Sequence, residues 1–278
     1  MKNKLSVAVF VAFTFASGVL SARADDLNTQ LMNATLKIAH EKSTATAFFL
    51  SRPTANDPQK VQFLLVAAAH FFETMPGDAV TLWFRRQDGE GVYEKVPVKL
   101  IVRQEGKPLW VKHPSADVAV VSMVPPNWSQ VPRISLDLLA SDETLKTNTI
   151  HPGDAVMSLG YPHLVEGNGA GFPILRSGPI ASFPLTPTKT NKTFLVSMNT
   201  FEGDSGGPVY IAESNRLSSD GKSPRDTRLI LGLVVGQHFL DEEAKMIYEA
   251  VKVRHRLGIA IVVHAAFIKE TIDRLPLP

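Results

Sequence analysis

A serine with the surroundings of a nucleophile lies in the segment 203–209, which reads GDSGGPV. The segment also matches G-x-S-x-G, the strained elbow in which a helix follows the serine at once. Here two glycines and Pro208 follow Ser205 and would break a helix, and the chain then enters an apolar stretch. The sequence therefore favours a serine whose partner histidine and aspartate lie upstream.

A histidine and an aspartate lie upstream in the required order. His70 ends the apolar segment 66–70, VAAAH, and Asp117 begins the segment 117–121, DVAVV. Either residue alone is explained as simply by a structural role. A carboxylate buried at the start of a strand is costly unless it is paired, however, and an imidazole N–H is a suitable partner. We therefore predict that His70, Asp117 and Ser205 form a catalytic triad.

Short apolar stretches separated by turn residues must position these side chains. Examples are 47–50, 61–69, 96–102 and 229–235, which are rich in Val, Ile, Leu and Phe. This pattern is typical of an all-β sandwich or barrel. Helical spacing is found only in the tail, 265–274.

Three segments interrupt this pattern. The Pro-rich stretch 125–132 is predicted to cross between two halves of the chain. The polar segment 212–228 and the charged segment 241–256 are longer than ordinary hairpin loops, so they are predicted to be surface insertions. The second of them is a candidate helix.

The motifs GDSGGPV, VAAAH and DVAVV resemble, in type and order, those of the trypsin-like serine peptidases. The segment 257–261, LGIAI, followed by a helix is similar to the end of bacterial HtrA-type protease domains. The resemblance implies an all-β fold of two six-stranded antiparallel β-barrels of the chymotrypsin type with a C-terminal helix. Within a peptidase domain at 25–278, it implies barrels at about 30–130 and 145–264 and a helix at about 265–274.

The resemblance also implies an activity, which is peptide-bond hydrolysis through an acyl-enzyme on Ser205. His70 would act as the general base, and Asp117 would orient it. The backbone N–H groups of Gly203 and Ser205 would form the oxyanion hole, and glycine suits this position because it adopts backbone angles that other residues disfavour. Two alternatives stay open, a catalytically silent binding or chaperone module on the same scaffold, and an esterase.

Specificity is predicted from four substrate-binding candidates. Asn199 lies six residues before the serine, where trypsins have an aspartate, so a preference for Arg or Lys is not expected. Thr200 and His238 match positions at which glutamyl endopeptidases bind an acidic side chain. Glu202 and the acidic run 241–243 would oppose such binding. Cleavage after Glu, or failing that after small or aliphatic residues, is the expectation.

The acid before the serine departs from the pattern of trypsin-like zymogens, in which it pairs with a newly cut apolar amino terminus. Asp204 has that position here, but no Arg or Lys followed by IVGG precedes His70. Either Asp204 finds another donor, or the chain undergoes processing that the sequence does not show.

The first 24 residues have the pattern of an export signal. Lys2 and Lys4 precede an apolar stretch, and the segment 22–24, ARA, has the small-x-small pattern that signal peptidase cuts. Export to a bacterial periplasm or to the medium is predicted, without a permanent membrane anchor. Loss of Lys2, Lys4 and Arg23 changes the formal net charge from +2 to −1, so a nucleic-acid partner is not expected.

The chain has no cysteine, and its core alone must stabilise the fold. The histidines outside the triad lack the spacing of metal ligands, so neither a metal nor another cofactor is expected. The expected partners are protein or peptide substrates, and the sequence predicts no oligomeric state.

Overall fold

The computed structural model describes residues 26–41, 43–57, 59–217, 224–245 and 250–277. Most of these residues belong to two antiparallel β-sheets, and a helix follows the last strand. The predicted signal peptide, 1–24, lies outside the described residues. Within the described ranges, no helix is long and apolar enough to cross a membrane.

The first sheet is built from seven strands between Thr35 and Ser122. In chain order they are β1 Thr35–His40, β2 Ser43–Pro53, β3 Val61–Ala67, β4 Ala79–Gly89, β5 Val92–Ile101, β8 Trp110–Lys112 and β9 Ala119–Ser122. The two strands left out of this series, β6 Arg103–Gln104 and β7 Lys107–Pro108, form a separate small hairpin. Across the first sheet the order is β5-β4-β1-β2-β3-β9-β8.

The centre of the first sheet brings two functional segments together. Most of β2 is buried on both faces, as expected for a nearly continuous apolar run. The antiparallel register pairs Ala67, the last residue of β3, with Ala119, the first residue of β9. The segments that carry His70 and Asp117 follow β3 and precede β9, so they meet at one end of the sheet.

The second sheet is built from six strands between Ala155 and His264. In chain order they are β10 Ala155–Gly160, β11 Ile174–Pro179, β12 Thr193–Ser197, β13 Pro208–Leu217, β14 Pro224–Lys245 and β15 Ala250–His264. Across the sheet the order is β11-β10-β13-β14-β15-β12. The segment with Ser205 directly precedes β13, a central strand that pairs with β10 and β14. The position of this segment is therefore fixed by the sheet.

The fold class predicted from the sequence is confirmed: the chain is all-β, with two antiparallel sheets and a C-terminal helix, consistent with the chymotrypsin type. The details differ in two respects. The first sheet has seven strands instead of six, and the ladders of hydrogen-bonded strands do not close into barrels. In the second sheet, one bridge between Ile180 and Val196 connects the chain after β11 with β12.

The charged segment 241–256 does not form the candidate helix. Instead, β14 and β15 continue beyond the sheet as a two-stranded ribbon, in which Asp241 lies opposite Arg254 and Leu240 opposite His255. The Arg254 Nε lies 2.6 Å from Asp241 Oδ1. The charges therefore pair across two strands, and such cross-strand pairs stabilise a ribbon in the way that i,i+4 pairs stabilise a helix.

Short helices flank the sheets in the described ranges. They are α1 Leu27–Ala34, α2 Ala69–Thr74, α3 Asp142–Thr147 and α4 Ala265–Ile272, with single 3₁₀ turns at Leu136–Leu138 and Pro162–Leu164. The side chains of Phe267, Ile268 and Ile272 are buried on α4. This helix contacts β8 and β9 of the first sheet and β14 and β15 of the second, so it fastens the two sheets to each other.

Candidate active site

His70 and Asp117 are in contact at the end of the first sheet. His70 lies in the first turn of α2, and Asp117 lies in the loop before β9. The Asp117 Oδ1 accepts a hydrogen bond from the backbone N–H of His70 at 2.8 Å, and its Oδ2 lies 2.5 Å from His70 Nδ1. Because the carboxylate holds the Nδ1 side of the ring, Nε2 is the nitrogen that stays available to another partner.

The surroundings of Asp117 keep its carboxyl group charged. Burial by itself would raise the pKa, but the hydrogen bonds and the charge of His70, with a backbone hydrogen bond from Ala69, outweigh it, so the pKa of Asp117 is lowered. The carboxylate therefore favours the N–H tautomer at Nδ1 of His70 and would stabilise an imidazolium. The His70 side chain is 43 % exposed, which leaves it open to a substrate.

Ser205 lies in the turn that leads into β13, and this turn is packed against the first sheet. The backbone N–H of Thr46 on β2 donates to the Ser205 carbonyl at 2.9 Å. At Gly206, where φ is +90°, an added Cβ would lie 2.1 Å from the carbonyl oxygen of Thr46 and 3.1 Å from the nitrogen of Ala68. Ala68 is two residues before His70. Glycine thus allows the serine turn to touch the segment that carries the histidine.

The same turn presents two N–H groups suited to an oxyanion. Within the described part of the chain, neither Gly203 nor Ser205 donates its N–H to a protein acceptor. Gly203 has φ of +99°, and a Cβ there would be 2.2 Å from the carbonyl oxygen of Tyr161. Thr46 Oγ1 donates to the carbonyl of Gly203 at 2.6 Å, which fixes the turn from the other side. Paired, unused N–H groups beside a serine are what an oxyanion hole requires.

Asp204 has a partner that the sequence reasoning missed, Arg176 of β11. The Arg176 Nη2 lies 2.5 Å from Asp204 Oδ1 in an ion pair that is not a well-directed hydrogen bond. The N–H of Phe201 donates to the other carboxylate oxygen at 2.7 Å. Asp204 is 1 % exposed, and this burial raises its pKa although the charge of Arg176 acts in the opposite direction. Asp204 therefore pairs with Arg176, a side chain of the folded domain. No newly cut amino terminus is needed as its partner.

Space for this ion pair depends on Gly160 of β10. A Cβ added to Gly160 would lie 2.3 Å from Asp204 Oδ1 and 3.1 Å from Arg176 Nη2. Arg176 Nη1 also donates to the carbonyl of Asn199 at 2.8 Å, so one guanidinium links β11 with both ends of the segment before the serine. The only sequence signal for this ion pair was a lone arginine among the apolar and small residues of β11.

The four substrate-binding candidates have different surroundings. Thr200 is 2 % exposed, and its hydroxyl has no hydrogen-bond partner among the described residues. Asn199 is exposed, with its side-chain oxygen close to Gly258 of β15. His238 is exposed at an irregularity of β14, where its side chain makes no hydrogen bond, ion pair or ring contact with any described residue. Glu202 is exposed and lines a cavity beside the serine turn.

That cavity has a volume of about 620 Å³. Its lining includes His40, Thr44, His163, Glu202 and Gly203. The His40 ring centroid is 5.1 Å from that of Phe71, the residue after His70. The cavity therefore lies beside both the serine turn and the helix that carries His70.

Fold and site together define a two-sheet antiparallel β protein in which a paired histidine and aspartate adjoin a serine turn. In the residues that the structure describes, no group of three or more His, Cys, Asp or Glu side chains could hold a metal ion.

Comparisons with known proteins give structural neighbours only. No protein-family model matches the chain, and no curated protein matches it. The chain is similar to a crystal structure of Rv3671c from M. tuberculosis H37Rv, a serine-to-alanine mutant in an inactive form. The TM-score is 0.45 and the identity 18 %, over 90 % of this chain and 92 % of that chain. A second structure, of Rv3671c protease in an inactive form, has a TM-score of 0.45 and 17 % identity, over 88 % of this chain and 90 % of that chain.

Proposed function

We propose that this chain is an exported serine endopeptidase that hydrolyses peptide bonds through an acyl-enzyme on Ser205. His70 accepts the proton of the serine hydroxyl during the attack and returns it to the leaving amine. Asp117 keeps the imidazole N–H at Nδ1 and stabilises the imidazolium. The N–H groups of Gly203 and Ser205 stabilise the oxyanion, and water then cleaves the acyl-enzyme by the same steps.

The pairing of His70 with Asp117 next to the serine turn is the observation that carries this proposal. An imidazole held at Nδ1 by a carboxylate is oriented to act as a base through Nε2. The contacts of Gly206 with Thr46 and Ala68 support a position of the serine close to that base. A silent binding module would have no use for two unused N–H groups at this turn, so the enzyme is favoured.

A fluorophosphonate probe tests the proposal directly, because it reacts with serines that are activated as nucleophiles. We expect labelling of Ser205 and cleavage of a quenched protein substrate. Ser205→Ala should lose both, with a fall in kcat of about 10⁶-fold. Ser122→Ala, which changes an exposed serine at the end of β9, is the matched control and should behave as wild type.

The alternatives give different results in the same experiment. A folded wild-type chain that is neither labelled nor active would be a silent binding module. A chain that is labelled and cleaves esters but no peptide bond would be an esterase.

For specificity, we propose cleavage after Glu or, failing that, after small or aliphatic residues. The buried hydroxyl of Thr200 is without a partner and supports a polar contact with substrate. The acidic run that opposed this preference is partly neutralised, since Asp241 pairs with Arg254.

A cleavage-site profile on a denatured proteome tests the specificity. Thr200→Val should lower cleavage after Glu relative to cleavage after Ala by about tenfold, since a hydrogen bond to a charged group is lost. His238→Ala should lower the same ratio less, because the imidazole is exposed. A profile dominated by Arg or Lys would contradict the proposal.

We also propose export with cleavage after Ala24, and activity without any further cut. The pattern of residues 1–24 supports the export, and the Arg176 partner of Asp204 supports activity without a new amino terminus. The intact mass of active protein, recovered from the periplasm or medium of a bacterial host, should correspond to a chain that begins at Asp25. Activity found only in a form shortened to an apolar amino terminus would refute this.

A further inference from the structure

One peptide unit determines where the first N–H of the proposed oxyanion hole points. The carbonyl of Glu202 and the N–H of Gly203 belong to the same trans peptide and therefore point in opposite directions. The backbone N–H of His163 donates to the Glu202 carbonyl at 2.8 Å. This hydrogen bond turns the Gly203 N–H away from His163, and its loss would allow the peptide to rotate.

His163 makes this hydrogen bond from an unusual backbone conformation. Its φ is 47° and its ψ is 39°, in the left-handed region, which residues other than glycine seldom adopt. Such a conformation persists only where the surroundings enforce it. Backbone hydrogen bonds from Leu164 to Tyr161 and from Val165 to Pro162 hold the turn, and contacts of the His163 side chain add to them.

Two side chains supply these contacts. The His163 ring centroid lies 5.0 Å from that of Phe201, and Arg256 lies over the same Phe201 ring at 4.6 Å. Arg256 Nη1 is 3.2 Å from His163 Nε2. A guanidinium can only donate, so Nε2 is the acceptor in this contact. Arg256 comes from β15, at the base of the long ribbon, and the ribbon thereby reaches the turn before Ser205.

We propose that Arg256, Phe201 and His163 form a clamp that positions the N–H of Gly203 for the oxyanion. The inference rests on the proposed function and names three positioning residues for the same site. None of the three touches the reacting atoms. They act through the Glu202–Gly203 peptide, so their effect should fall on stabilisation of the transition state and not on substrate binding.

The first test uses variants of Arg256 with a matched control on the same ribbon. Arg256→Gln should lower kcat about fivefold with KM unchanged, the size expected for loss of an exposed cation–π contact. Arg256→Lys keeps the cation and should recover most of kcat. Arg254→Gln is the control, because Arg254 also lies over an aromatic ring, that of Phe239, and its kcat should stay within about twofold of wild type.

A peptidyl boronate separates positioning from general damage. Its adduct with Ser205 places an oxygen in the oxyanion hole, so its affinity should fall about fivefold in Arg256→Gln, in parallel with kcat. KM for the quenched peptide should not change. An unchanged boronate affinity, or a higher KM at constant kcat, would overturn the clamp.

The second test uses His163→Ala, which retains the backbone N–H but loses the ring contacts, while positive φ stays unfavourable. This variant should also lose about fivefold in kcat, and the double variant with Arg256→Gln should lose no more than either alone, since both remove one clamp. If the fold-losses in kcat of the two single variants multiply in the double variant, the clamp is overturned, but the proposed endopeptidase activity is not. A folded wild-type chain with neither turnover nor labelling of Ser205 would overturn the proposed function and the clamp together.

Discussion

Asp117 and Asp204 are two partly or fully buried carboxylates of the candidate site, one beside the histidine and one beside the serine, and their environments differ. Asp117 takes two hydrogen bonds from His70, and its pKa is lowered although burial acts against this. Asp204 is almost inaccessible, and burial raises its pKa in spite of Arg176 and a hydrogen bond from Phe201.

The difference indicates two roles for the same chemical group. Asp117 stays charged and partly exposed beside a ring that is open to substrate, which suits a group acting during a reaction. Asp204 is enclosed with its counter-ion below the serine turn, which suits a group that holds backbone in place. Loss of Asp117 should therefore lower the reaction rate. Loss of the Asp204 ion pair should lower both the rate and the free energy of unfolding.

The largest effect is expected for Asp117→Asn. The amide would donate to Nδ1 of His70 and favour the wrong tautomer, so kcat should fall about 10⁴-fold. The denaturation midpoint should change little, because the amide oxygen can still accept the His70 backbone N–H. Both are measured with a quenched peptide and a urea titration. A loss below about tenfold would show that Asp117 does not orient the base.

The next effect is expected for Arg176→Met, which leaves the buried Asp204 without its counter-ion. Removal of one partner of a buried ion pair costs about 3 kcal/mol or more, so a urea titration should show a lower free energy of unfolding by that amount. The serine turn should loosen, and kcat should fall with it. Arg228→Met removes the exposed pair with Asp226 and should change the free energy by less than about 0.5 kcal/mol.

A second substitution sharpens this result. Arg176→Met combined with Asp204→Asn removes both charges and should recover much of the lost stability. Equal stability of the single and double variants would mean that the uncompensated charge of Asp204 is not the cause.

The smallest effect concerns a buried titratable group with no strong partner, His264. Its pKa is lowered to about 4, mainly by burial, and its Nε2 has no hydrogen-bond partner among the described residues. In the unfolded chain the imidazole has an ordinary pKa of about 6.5 and binds a proton more readily. The free energy of unfolding is therefore highest above pH 6.5 and declines as the pH falls toward 4. Between pH 7 and pH 5 the loss should be about 2 kcal/mol.

His264→Phe isolates this contribution. The ring still packs against Phe194, 4.7 Å away in the wild type, but it cannot take up a proton. Urea titrations at pH 7 and pH 5 should show a smaller loss for the variant than for the wild type. Asp117 and Asp204 are present in both proteins, so their contributions to the loss of unfolding free energy cancel when the two losses are subtracted. Identical losses would show that His264 does not carry this pH dependence.

The all-β class could be predicted because short runs of β-branched and aromatic residues recur with turn signals between them. The ribbon at 241–256 could not be predicted, because a segment with acidic and basic residues at opposite ends is compatible with a helix or a ribbon until their partners are known. Asp241 pairs with Arg254, thirteen positions away and on a different strand, and local spacing contains no trace of that pairing.

The candidate site shows the same division between local and distant information. Ser205, His70 and Asp117 were proposed from local motifs, because glycines, small residues and strand starts surround them in the sequence. The role of Arg176 was not predicted, because an arginine on a strand is most often a surface residue. Its role depends on Gly160, which leaves room for the guanidinium below Asp204.

The sequence by itself determined which residues can do chemistry and the order in which they follow along the chain. It also determined the alternation of apolar stretches and turns, since both are properties of neighbouring residues. Tertiary structure alone decided the partner of Asp204, the path of the ribbon and the contact of Arg256 with His163. Each of these joins residues that are far apart in the chain, and only the packing of the two sheets brings them within a few ångströms of each other.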